Sequence, residues 1–100
     1  MKLAFTRRAE SDLIAIDTYG FLTFGQSQAV RYRSSLNALF DLMILNPSMG
    51  VRVLGTDAAV RMAVHRPHVI LYRFDASRLT ILRVLDGRSE WRRFLPAQST

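Results

Sequence analysis

Polar and apolar positions alternate in two distinct rhythms along this chain. A short apolar run, Lys2–Phe5, predicts a strand. Apolar side chains then recur at Ala9, Leu13, Ile16 and Tyr19, the three-and-four spacing of one helix face. Thr6 stands where its hydroxyl can accept a free backbone N–H of the first turn. Glu10 and Asp12 fall near the positive end of that helix dipole, and Gly25 is placed to close the helix. Ser27 is the expected cap of a second helix. Its stripe is Ala29, Tyr32, Leu36, Leu39 or Phe40, and Met43. Asn46-Pro47 stops it, because a residue before proline avoids helical geometry. The short link at Gly25 makes the two helices an antiparallel hairpin.

Residues 47–59 carry Pro, two Gly and no period, which predicts a loop with one short extended piece. Beyond it the rhythm changes. Val60–His65, His68–Asp75 and Arg78–Leu85 are rich in Val, Ile, Leu and Tyr and are each of strand length. Arg66-Pro67 and Ala76-Ser77 separate them as tight turns, so the three form an antiparallel meander. The fold class is therefore α+β: an N-terminal strand and a helical hairpin packed on a mostly antiparallel sheet. Residues 1–100 read as a single domain ending in a basic, aromatic tail over 88–100.

Turn lengths fix a register, and register fixes which side chains share a face. Two-residue turns set His65 opposite His68, Arg61 opposite Tyr72, Ile70 opposite Arg83 and Tyr72 opposite Ile81. One face then holds Val60, Met62, Val64, Val69, Leu71, Leu82 and Val84, and is where the hairpin is expected to pack. The other mixes Arg61, His65, His68 and Arg83 with Ile70, Tyr72, Phe74, Ile81 and Leu85. A slip of one residue in the second turn would move Arg83 across. A face this apolar and this charged implies a covering partner. An acidic amphipathic helix fits, its apolar side in the groove and its carboxylates on the arginines.

Charge sharpens this reading. Fourteen basic residues stand against eight acidic ones, a net +6, and thirteen of the fourteen are arginine. Arginine suits flat bidentate contacts, whereas lysine more readily titrates as a catalytic group. The composition thus favours a binder of an acidic partner over a lysine-dependent catalyst, although a genome preferring arginine codons would give the same bias. The absence of cysteine excludes disulfides, thiol catalysis and cysteine-based zinc sites. The N-terminal apolar run is too short for a signal core or a membrane span, so a soluble, cytoplasmic chain is expected. No cofactor and no metal are expected. Two histidines flanking a turn, without neighbouring carboxylates, are poor ligand spacing. The glycines are too scattered for a phosphate loop.

The chain resembles the ParE branch of the ParE/RelE toxin superfamily. The resemblance is carried by Ala9, Asp12-Leu13-x-x-Ile16-x-x-Tyr19, Gln28-Ala29-x-x-Tyr32-x-x-x-Leu36 and Asn46-Pro47-x-x-Gly50. It continues through His68-Val69-Ile70-Leu71-Tyr72-Arg73 and Arg83-Val84-Leu85-x-Gly87-Arg88. Each part is mostly hydrophobic spacing; their order within a hundred residues is what is specific. The resemblance implies a type II toxin with a small acidic, ParD-like antitoxin that wraps it. Operon DNA would be bound only through that antitoxin, and no membrane is involved. It implies DNA gyrase as the target, with ribosome-dependent mRNA cleavage or a non-toxic binding relative as alternatives. Many relatives carry His at the position of Asp86; an acid there would repel phosphate and could pair with Arg88.

Three sets of residues follow. For the antitoxin: Arg61, Ile70, Tyr72, Phe74, Ile81, Arg83 and Leu85. For a protein target: Arg88, Trp91, Arg92 and Arg93, since Trp and Arg are common interface anchors; otherwise Trp91 and Phe94 fold back on the sheet edge. For RNA cleavage: Arg61, His65, His68, Tyr72 and Arg83, supplying a base, an acid and positive charge if they converge. Arg61 to Arg93 holds eight arginines against Asp75, Asp86 and Glu90, a local +5 that would bind nucleic acid weakly without specificity.

Overall fold

The computed structural model describes residues 1–55 and 59–94. Strand β1 (Lys2–Phe5) leads into helix α1 (Arg7–Phe24), whose first turn is capped by Thr6 Oγ1 accepting from the Ala9 amide at 3.0 Å. Helix α2 (Gln26–Leu45) follows after one residue. Gly25 serves both helices: its N–H donates to Phe21 O and its carbonyl accepts from Ala29 N–H. Its φ of +86° is a conformation that side chains disfavour. Ser27 is therefore not the cap of α2; it lies inside the first turn because Gly25 already begins the hydrogen-bond ladder.

Asn46 ends α2 as expected, and Pro47–Met49 forms a single 3-10 turn. A two-residue strand β2 (Val51–Arg52) is the short extended piece of the loop. Then come β3 (Arg61–His65), β4 (His68–Phe74) and β5 (Arg78–Asp86), followed by a 3-10 turn at Trp91–Phe94. The part of the C-terminal tail from 95 to 100 lies outside the described residues. The strands form one sheet in the order β1-β5-β4-β3-β2. Only β1 and β5 run parallel. No helix among the described residues is long and apolar enough to cross a membrane.

The first turn sets the expected register: His65 pairs with His68 and Arg61 with Tyr72. The second turn also holds, with Tyr72 opposite Ile81 and Phe74 opposite Leu79. The ladder then slips. Leu71 pairs with Arg83 and Ile70 with Val84, which leaves Leu82 as an extra residue on β5. Such a bulge flips the pleat beyond it. Ile70 is thus not opposite Arg83, and Val84 joins the face of Tyr72 while Leu85 leaves it.

The hairpin covers the opposite face from the one expected. Ala9 and Leu13 of α1, with Leu36, Phe40 and Met43 of α2, pack on Ala63, Ile70, Tyr72, Leu79, Ile81 and Val84. Leu3 and Phe5 join them from β1, and the Phe5 and Phe40 rings meet edge to face at 5.6 Å. The reverse face holds a smaller cluster of Val53, Val60, Val69, Leu71 and Leu85, with Met62, Leu82 and Trp91 packed around it. Both faces of β4 are apolar, so its alternation carries no sign to say which one receives the helices.

Candidate functional site

The seven residues expected to form one partner-binding face are divided by the fold. Ile70, Tyr72 and Ile81 are fully buried beneath the helices, so the chain itself fills the slot expected there. Leu85 lies in the reverse-face cluster and Phe74 is partly exposed at the sheet end. The Arg83 guanidinium meets Asp12 of α1 in a two-point contact, Nε to Oδ2 at 2.8 Å and Nη2 to Oδ1 at 2.9 Å. Asp12 Oδ2 also accepts the Val84 amide at 2.9 Å, just past the bulge. Arg61 Nη1 donates to Gly50 O at 2.8 Å and Ser48 O at 3.2 Å, and its guanidinium lies 5.8 Å from the Phe74 ring centre. The Tyr72 hydroxyl donates to Pro47 O and accepts the Gly50 amide, each at 2.8 Å. These bonds tie the Pro47–Gly50 segment to the sheet.

His65 and His68 do come together, through a residue the sequence reading assigns only to the core stripe. The Tyr32 ring of α2 lies between them, 5.3 and 5.5 Å from their ring centres. Its hydroxyl is 2.6 Å from His68 Nδ1 and donates to His65 O at 3.2 Å. Ser35 Oγ donates to Tyr32 O at 2.7 Å and so accepts from His65 Nε2 at 2.9 Å. Burial pushes the Tyr32 hydroxyl up to about 12, so it stays protonated. Burial also lowers His68, against the opposing pull of Asp86, and favours its neutral form. The group is a seam that fastens α2 to the β3–β4 turn. Its helical spacing is visible in the sequence, but its partners are 30 and more residues away.

This seam forms one wall of an apolar cleft of about 620 Å³ between the hairpin and the end of the sheet. Ile16, Tyr19 and Phe24 line it from the hairpin, and Pro67 and Val84 from the sheet. Asp86 and Arg88 stand at its rim. They pair as the sequence suggests, Arg88 Nε and Nη2 reaching the Asp86 carboxylate at 3.1 and 2.9 Å. Those hydrogen bonds hold the Asp86 carboxyl down at about 2.

Trp91 folds back on the reverse-face cluster that includes Leu71 and Leu85. Arg92 stacks on its indole at 4.6 Å, and Arg92 and Arg93 remain exposed. Among the described residues no group of three His, Cys, Asp or Glu is arranged to hold a metal ion.

Comparison with known proteins agrees with this architecture. A family model described as the ParE toxin of the type II toxin–antitoxin system parDE matches residues 3–91. Toxin ParE1 of Caulobacter vibrioides is 35% identical over 80 residues, covering 80% of this chain and 82% of that protein. A solved chain from the chromosomal ParDE system of P. aeruginosa superposes with a TM-score of 0.70 at 24% identity. That superposition covers 86% of this chain and 95% of the other, and shows the shared fold. By the reach of the family match and the identity to a known toxin, this chain belongs to the ParE toxin family of type II toxin–antitoxin systems.

Proposed function

We propose that this toxin acts by binding rather than by cutting: it inhibits DNA gyrase through protein contact and is silenced by a small acidic, ParD-like antitoxin. The observation that carries this reading is the engagement of the residues an RNA-cleaving site would need. Tyr72 is buried with its hydroxyl in two hydrogen bonds, Arg83 is held by Asp12, and Arg61 is held by backbone carbonyls. A base, an acid and a free cation that converge on one open point would support cleavage. Here the histidines instead fasten a helix to a turn. Purified toxin should block gyrase supercoiling and trap cleaved plasmid. Messenger RNA cut within translated codons, with gyrase untouched at micromolar toxin, would replace this reading with the nuclease one.

With Tyr72 buried under the hairpin, Arg83 held by Asp12 and Arg61 held by the Ser48 and Gly50 carbonyls, the open apolar cleft is the better seat for the antitoxin. Tyr19 and Phe24 at its edge are 62% and 55% exposed, and a helix laid there would cover both. The antitoxin is expected as a short acidic reading frame abutting this one. Tyr19→Glu with Phe24→Glu should weaken its capture at least tenfold. Unchanged capture would move the seat elsewhere.

A further inference from the structure

Lys2 and Arg78 are direct neighbours across β1 and β5, and both are exposed. Arg73 shares their face, since it pairs with Thr80, two residues on from Arg78. This is the face turned away from the hairpin, whose own side carries Leu3, Phe5, Leu79 and Ile81. Like charges directly opposite on adjoining strands repel, and neighbouring strands are only about 4.8 Å apart.

A second opposed pair shows how the chain can relieve such repulsion. Arg52 faces Arg61 across β2 and β3, but Arg61 is held by two carbonyl oxygens and an aromatic ring. Lys2, Arg73 and Arg78 have no ion pair among the described residues. The nearby acid, Asp75, is turned into its own loop. One of its oxygens accepts Ser77 N–H at 2.8 Å, Ser77 Oγ at 2.9 Å and Arg78 N–H at 3.0 Å. The Lys2 backbone is anchored beside that loop by its N–H donating to Ser77 O at 2.9 Å.

We propose that Lys2, Arg73 and Arg78 form a phosphodiester-binding surface that lets the toxin itself hold duplex DNA without reading its sequence. The side chains between the three cations are Ala4 and Thr80, small groups that offer no groove to an amphipathic helix. A sugar–phosphate backbone asks only for positive charge and hydrogen-bond donors at its phosphates. An acidic protein segment would need apolar anchors among the cations, where only Ala4 and Thr80 stand; the apolar cluster of this face begins beyond them, at Leu71 and Leu82. The inference is independent of the gyrase reading, because it concerns the toxin alone and bare DNA.

The test is fluorescence anisotropy of an arbitrary 20-base-pair duplex with the isolated toxin across a salt series. Each neutralised phosphate contributes about −0.9 to the slope of log affinity against log salt. Lys2→Gln, Arg73→Gln and Arg78→Gln together should flatten that slope by about 3. A control of equal charge, Arg8→Gln with Arg31→Gln and Arg66→Gln, should keep most of it. Circular dichroism confirms that both variants fold. Equal losses in the two variants would mean that only net charge matters and would overturn the proposal, as would no binding by the parent toxin at low salt. Displacement of the duplex by polyglutamate as readily as by unlabelled DNA, at matched charge, would also overturn it and make the surface a dock for acidic protein.

Discussion

Asp12 and Arg83 meet across 71 residues of sequence, carboxylate to guanidinium at 2.8 and 2.9 Å, with the Val84 amide sharing the same carboxylate. Their side chains are only 14% and 15% exposed. The pair fixes α1 over the bulge in β5, where the ladder slips past Leu82. Removing one partner of a largely buried pair leaves the other charge unmatched. Asp12→Ala should therefore cost about 3 kcal/mol, and Arg83→Glu, which sets two carboxylates together, at least as much. Urea denaturation measures both; wild-type midpoints would show that the pair does not hold the fold.

Tyr72 and Gly50 make a second tertiary latch. Tyr72→Phe removes the acceptor for the Gly50 amide and the donor to Pro47 O, a loss of about 1–3 kcal/mol. Gly50→Ala should be worse, because its added carbon would lie 2.5 Å from the Tyr72 hydroxyl and 2.7 Å from Met62 O. Thermal melts of the two variants should rank in that order. Wild-type stability in Gly50→Ala would mean that the 3-10 turn can move away from the sheet.

Acid should loosen the seam between α2 and the β3–β4 turn. The folded protein holds the pKa of His68 below its ordinary 6.5 through burial. The unfolded chain therefore binds more protons below that pH, and stability falls as pH drops through 6.5 toward the lowered value. Above 6.5 the contribution of His68 is fully present. Denaturation midpoints from pH 8 to pH 5 should show this decline, and His68→Gln should remove that part of it. An identical slope in the variant would assign the pH dependence to other groups.

The C-terminal turn separates stability from target contact. Trp91 packs on the reverse-face cluster, so Trp91→Ala should cost about 2–3 kcal/mol. Arg92 and Arg93 are exposed, so their replacement by Glu should leave the melting temperature within a degree or two of wild type. If that replacement also leaves gyrase inhibition intact, the tail is not the contact surface.

The sequence alone determined the elements and most of their ends. Thr6 opens α1, Gly25 divides the hairpin, Asn46-Pro47 stops α2, and the two turns set the registers nearest to them. These are local effects of hydroxyl, proline, glycine and loop length, and a linear reading contains them. Much less of the site was legible. Asp12 reads as an acid suited to a helix dipole, Tyr32 as one more apolar stripe position, and Arg83 as a charge awaiting a partner molecule. Tertiary structure alone decided which side of the sheet the helices cover and that an extra residue, Leu82, shifts the end of β5. Val69, Ile70, Leu71 and Tyr72 are large and apolar at every position, so the period of two has no phase to read. The choice of face belongs to contacts between distant segments, which form only when the helices, the bulge and the Asp12–Arg83 pair come together.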